Sequence, residues 1–184
     1  MDSAARRGLL GMVDWLHHHR REGCSLMAMD DAACNGHLDV VKWLHEHRRE
    51  GCTTDAMDFA AFHGHLDVLR WLHKHRREGC TQDALELAAR MDHLYVVQWL
   101  LQHRTEGDLK EAILSAALFG SVYTFHWFVA NYTDILSEIE FSRATSPPFD
   151  KNSLYVLYLM IKHNCHHVCV DVERVGNSIL LPYE

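Results

Sequence analysis

Three kinds of signal are missing from this chain, and each absence removes a class of function. It contains no run of about 18 consecutive apolar residues, and no basic start followed by an apolar stretch and a small-residue cleavage site. Neither membrane insertion nor secretion is indicated. Basic side chains are in the minority, with 18 Lys and Arg against 25 Asp and Glu, a formal net charge of -7. A nucleic-acid binder ordinarily carries a net basic face, so nucleic acid is disfavoured as a partner and any basic patch must be local. Catalytic signatures are missing too: there is no Gly-rich phosphate loop, no G-x-S-x-G and no H-E-x-x-H. The chain therefore reads as a non-enzyme without a cofactor. What is present, 184 residues of which 48% are hydrophobic, suffices for a substantial core in one domain or one short array.

The dominant positive signal is a period. Trp15, Trp43, Trp71, Trp99 and Trp127 stand 28 residues apart, and Ala-Ala pairs at 4-5, 32-33, 60-61, 88-89 and 116-117 keep the same step. Such self-similarity marks a repeat architecture. In the clearest unit, "TTDAMDFAAFHGHLDVLRWLHKHRREGC", two helix signals flank a central glycine. The first helix has acids placed to bind the free amides of its own first turn, Asp55 with Asp58, and Asp83 with Glu86 in the next unit. It stops at Gly64, whose counterparts Gly8, Gly36, Asp92, Gly120 and Asn152 are all residue types that tolerate positive φ. The second helix, from about Leu66, carries Leu66, Val68, Leu69, Trp71 and Leu72, too broad an apolar surface for one stripe. Helices of that kind are buried on more than one side, as in stacked hairpins. Arginines fall in its last turn and Gly79 stands as its C-cap.

The expected fold is an all-α solenoid of helix-turn-helix units at about 1-24, 25-52, 53-80, 81-108 and 109-133. A divergent sixth unit follows at 134-164, interrupted by "TSPPFD", whose prolines forbid a continuous helix. The remaining segment, 165-184, is not a repeat and is expected to fold over the last hairpin. The opening "MDSAARRG" aligns with the interior of a unit, Met1 with Met57, and lacks the preceding Asp-Ala. Met1 thus reads as an internal repeat methionine of a longer array, with Leu9, Leu10, Met12, Val13 and Trp15 facing water where an earlier unit would stand.

The string "DAMDFAAFHGHLDVLRWL" resembles the ankyrin repeat. Its Ala-Ala pair, Gly-His step and following apolar residues keep that family's order over about residues 1 to 130, and weakly over 131 to 164. Asp-Ala-Met-Asp stands where the family has Thr-Pro-Leu-His. A family unit is about 33 residues, so about five are missing between the second helix and the next first helix. The resemblance implies a nearly all-helical stack with reduced or absent β-turn fingers. It also implies a non-enzymatic scaffold that binds a partner protein through the concave face of the first helices. The positions that vary on that face are Ser3, Arg6 and Arg7; Asp31, Cys34 and Asn35; Phe59, Phe62 and His63; Leu87, Arg90 and Met91; Ser115, Leu118 and Phe119. Three successive units offer large apolar groups there, which gives Phe59, Phe62, His63, Leu87, Arg90, Met91, Leu118 and Phe119 as the candidate site, anchored on Phe59, Phe62, Met91 and Phe119. The competing readings are that neighbouring helices or the tail bury these residues, or that the chain is a structural piece of a longer repeat protein with no dedicated partner.

The sixteen histidines and six cysteines invite a metal, but ten of the histidines sit in repeat register, at 37, 65 and 93, at 17, 45 and 73, and at 19, 47, 75 and 103. Equivalent positions on stacked helices lie about 8 to 10 Å apart, too far to share one ion. The same spacing excludes disulfides among Cys24, Cys52 and Cys80. They read as reduced thiols packing at the joints, in a monomer of intracellular, most simply cytoplasmic, location. "HNCHHVC" at 163-169 is denser, yet no second ligand pair accompanies it, and a helix end with its turn is the plainer reading. The arginine pairs 20-21, 48-49 and 76-77, with Arg104, alternate with Glu22, Glu50, Glu78 and Glu106 as a solvated, self-neutralised rim.

Overall fold

A residue in the left-handed region divides each unit in two. Gly8, Gly36, Gly64, Asp92 and Gly120 have φ of 67, 74, 78, 60 and 69°. On either side of them the computed structural model, which describes residues 1–136 together with Ile139, Val156 and Leu159, places a helix. The pairs are α1 (Asp2–Arg6) with α2 (Leu10–His19), α3 (Met27–Cys34) with α4 (Leu38–His47), and α5 (Asp55–Phe62) with α6 (Leu66–His75). They continue as α7 (Asp83–Arg90) with α8 (Leu94–His103), α9 (Leu109–Leu118) with α10 (Val122–Asn131), and a short α11 (Thr133–Leu136). The described residues contain no β-strand. Most of the expected sixth unit, with Asn152, the 165-184 tail and the "HNCHHVC" segment, lies outside the described residues.

The small Ala-Ala pairs set the geometry of the stack. Each is buried, and the helices that carry them, α1, α3, α5, α7 and α9, pack on one another along their length. The second helices touch their successors far less. The first helices thus approach one another more closely than the second helices do. The core lies between the two layers, where Val41, Leu44, Leu69, Leu72, Phe125 and Phe128 are almost fully buried.

The central left-handed turn has a second reason to be glycine. A Cβ on Gly64 would come within 2.7 Å of the His93 ring, and Gly8 and Gly36 face His37 and His65 in the same way. Asp92 breaks the pattern together with its partner, because the position after it in the stack is Ser121 instead of histidine. The Ser121 hydroxyl donates to the Arg90 carbonyl at 2.8 Å, and the Asp92 carboxylate accepts from the Tyr123 and Thr124 amides at 3.3 and 2.8 Å.

Three sequence expectations are corrected here. The acids on the first helices do not cap their own first turns; they reach forward to the next unit. Asp2 accepts from the Ser25 amide at 3.1 Å, Asp30 from the Thr53 amide at 2.8 Å, and Asp58 from the Thr81 amide at 2.9 Å. The hydroxyls of Ser25, Thr53 and Thr81 in turn accept from the amides of Met27, Asp55 and Asp83. Glu86 accepts from the Ser115 hydroxyl at 2.9 Å. A connection too short for a finger brings the next helix start beneath these acids, so they serve it instead. Among the described helices only α9 has a side-chain cap, from Asp108.

The second correction is at the other helix ends: α2, α4, α6 and α8 stop at histidine, and the following Arg20, Arg48, Arg76 and Arg104 are extended caps outside the last turn. Gly79, at φ 76°, lies within the connection beyond Arg76 and is not the C-cap. The third concerns unit one. Leu9, Met12 and Trp15 are exposed, but Val13 is fully buried and Leu10 half-buried, because those two point into the hairpin's own core.

Candidate functional site

Two surfaces of the stack carry chemistry, and the first proves to be structural. At the outer joint the Arg48 guanidinium pairs with Glu50 and donates to His17 Nδ1 at 3.4 Å. His17 stands edge-on to Trp43 at 5.2 Å, and Trp43 stacks on His47 at 4.4 Å. The same set recurs as Arg76, Glu78, His45, Trp71 and His75, and again as Arg104, Glu106, His73, Trp99 and His103. The expected solvated rim is therefore only half right. Arg20, Arg21, Arg49 and Arg77 are exposed, but the side chains of Arg48, Arg76 and Arg104 keep 22, 22 and 20% exposure and fill the joints. Pairing with Arg48 holds the Glu50 carboxyl down at about 2. Behind the guanidinium groups Cys52 and Cys80 are buried, and burial pushes the Cys52 thiol up to about 11, which suppresses its thiolate. Among the described residues no group of three His, Cys, Asp or Glu can hold a metal ion.

The histidines that face the left-handed turns should make the stack sensitive to acid. Burial lowers His65 and His93 below the ordinary histidine value of about 6.5. Their contribution is present above about pH 6.5 and is lost as pH falls through the lowered folded values. Glu50 contributes in full above its unfolded value and loses that contribution only below it, whereas Asp30 and Asp58, raised by burial, have the opposite sign. Over the interval from pH 7 to 5, protonation of His65 and His93 therefore disfavours the fold, with Asp30 and Asp58 acting against it. Thermal unfolding midpoints should fall steadily across that interval; midpoints that stay level would contradict the assignment.

The second surface is the free face of the first helices. In units one and two it is polar or small, with Ser3, Arg6, Arg7 and Asn35 exposed and Asp31 and Cys34 half-buried. In units three to five it turns apolar. Phe59 and Met91 are each 43% exposed, Phe119 is 52% exposed and Leu118 is exposed beside it. Neighbouring helices leave these four open and half-cover Phe62 and Leu87. His63 is exposed, donates from Nδ1 to the Phe59 carbonyl at 3.0 Å, and lies 3.7 Å from Cys34 Sγ. Arg90, also exposed, lays its guanidinium carbon 3.9 Å above the centre of the Phe119 ring.

A family model for ankyrin repeats, in three copies, matches residues 1–83 and, overlapping them, 29–113, more than half of the chain. The chain belongs to the ankyrin-repeat family. Compared with curated proteins it gives no match. Ankyrin repeats generally mediate protein–protein interactions, and the family is typically non-enzymatic. Among the described residues no helix is long and apolar enough to cross a membrane.

Sequence reasoning missed two features of this ankyrin-repeat chain. One is the Arg90–Phe119 stack, which joins neighbouring units and leaves no trace in the period. The other is a pair of exposed tyrosines, Tyr95 and Tyr123, beside a cleft of about 480 Å³ that also touches Asp92 and His93. There the sequence did hold a signal, since the equivalent positions are Asp39 and Asp67, acids suited to a helix start.

Proposed function

We propose that this protein is a non-enzymatic scaffold that captures a protein partner on the free face of α5, α7 and α9. The observation that carries the reading is the exposure of Phe59, Met91, Leu118 and Phe119 on, or directly after, the first helices of three successive units. The Ala-Ala seam needs none of these side chains, and solvent rather than a neighbouring helix meets them. Phe62, Leu87, His63 and Arg90 complete the surface. Aromatic and methionine anchors with an arginine are the composition of interface hot spots.

The test is to charge the open anchors, Phe59→Asp with Met91→Asp. Phe62 is a poorer choice because it is half-buried and its loss would disturb the fold. Both chosen residues are exposed, so the helical circular dichroism should persist while partner capture from a cell extract is lost. A well-folded double variant that still captures the same partner would refute the reading. Capture of chaperones alone by the parent protein would favour a purely structural role.

A further inference from the structure

Resting on that reading, we infer that the face recognises a carboxylate: Arg90, laid over Phe119, docks an Asp or Glu side chain in an acidic, apolar segment of the partner protein. Arg90 has an obvious intramolecular mate and does not take it. Glu86 stands one turn before it on α7, the orientation that favours a helical ion pair. That carboxylate is turned to the next unit by the Ser115 hydroxyl at 2.9 Å, and no ion pair to Arg90 forms among the described residues. The guanidinium carbon instead lies over Phe119, 3.9 Å from the ring centre. A guanidinium carries its N–H donors around its edge as a planar fork, and the Arg90 side chain is exposed. That fork matches a carboxylate with two parallel hydrogen bonds. The stack also restrains the long side chain before binding, so less freedom is lost when the acid arrives.

The surroundings favour one occupant. Phe119 lies against the guanidinium, and exposed Met91 and Leu118, the chain neighbours of Arg90 and Phe119, add apolar surface that can exclude water from a bound ion pair and seat apolar side chains beside the acid. Charge is distributed unevenly across the face. Its edge at the carboxyl ends of the first helices carries exposed Arg6, Arg7 and Arg90, whereas the opposite edge carries exposed Asp55, Asp83 and Glu111. Among the described residues Lys110 is the one exposed cation beside those acids, so an acid on the partner is favoured at the first edge over the second. A nucleic acid or a polyphosphate, which would require many cations, is opposed by the net charge of -7. A single carboxylate set among apolar side chains is not.

The experiment is selection of short random peptides displayed on phage against the full chain, followed by affinity measurements on the enriched sequences. The expected peptides share an Asp or Glu next to large apolar residues. Replacing that acid by its amide should weaken binding about ten-fold or more, and Arg90→Gln should do the same. The two changes together should weaken it no further, since they remove the same contact. Phe119→Leu, which keeps the patch apolar but removes the stack, should also weaken the acidic peptides and spare their amide versions. Arg90 is exposed, so thermal midpoints of the variants should match the parent; should one differ, the acid-to-amide change in the peptide alone still decides. Peptides that require Phe59 and Met91 but ignore both the acid and Arg90→Gln would overturn the carboxylate inference and leave the scaffold reading standing. Peptides that bind the Phe59→Asp, Met91→Asp protein as well as the parent, or no enrichment at all, would overturn both. Concentration-dependent self-association that Arg90→Gln abolishes would place a second copy on the face, and would likewise overturn it.

Discussion

The Gly64→Ala protein is expected to unfold about 10 °C below the parent. Two penalties meet at this position. An alanine at φ 78° sits in a region that costs a side-chain-bearing residue about 1–3 kcal/mol. Its Cβ would also stand 2.7 Å from the His93 ring, which must shift away from the joint. Together these come to about 3 kcal/mol, and in a chain of this size each kilocalorie lowers the midpoint by about 2–4 °C. The steric share should be recoverable. His93→Ser in the Gly64→Ala background should restore part of the loss, although His93→Ser alone is destabilising. Gly64→Asp with His93→Ser should do better still, because it copies the natural Asp92–Ser121 joint. Asp tolerates the left-handed conformation, and its carboxylate would meet the Tyr95 and Val96 amides as Asp92 meets those of Tyr123 and Thr124. A double-mutant cycle from thermal midpoints measures this. Simple additivity of the two substitutions would show that the glycine and the ring are not coupled.

The tryptophans offer one substitution at equivalent positions with different surroundings, and the costs should be graded. Trp99→Ala should lose about 3–5 kcal/mol in denaturant unfolding, the range for emptying a buried aromatic site. Trp99 is only 6% exposed, with His73 edge-on at 5.2 Å and His103 stacked at 4.7 Å. Trp15 is 48% exposed and keeps the stack with His19 at 4.4 Å, but no preceding histidine covers it. Its replacement should cost under about 1 kcal/mol, the ordinary range for exposed sites. Trp43 and Trp71, half-buried beneath His17 and His45, should fall between. Equal losses at Trp15 and Trp99 would mean that contacts between units contribute little to the stability of the stack.

The helices and the left-handed turns were legible in the sequence because they depend on residues close together in the chain. Trp71, Gly64 and the Ala60–Ala61 pair announce their roles by type and spacing. Asp58 and Arg76 do not. A carboxylate in the first turn of a helix can serve its own amides or those of a neighbour, and a strict period looks the same in both cases. Asp58 bonds 23 residues ahead and Arg76 bonds 31 residues back, each one repeat displaced by a few residues. Periodicity says that every unit has the group but not which unit it touches. The one readable clue was the place where the period breaks twice together, Asp92 in place of glycine and Ser121 in place of histidine. For the candidate face, the sequence placed its apolar residues on successive first helices; how far each is covered, and where Arg90 lies, depend on packing between units.

That double break also imposes an order on the units. Gly8, Gly36 and Gly64 each accept a following unit whose second helix opens with histidine, so the second and third units present interchangeable ends at this joint. The fourth unit turns between its helices on Asp92 and fits a successor whose second helix opens with Ser121. Duplicating residues 53–80 in tandem would satisfy this joint on both sides, while moving the fifth unit forward would set Ser121 against a glycine and leave a gap where an imidazole belongs. The array can lengthen in its middle, but its last described unit has one address.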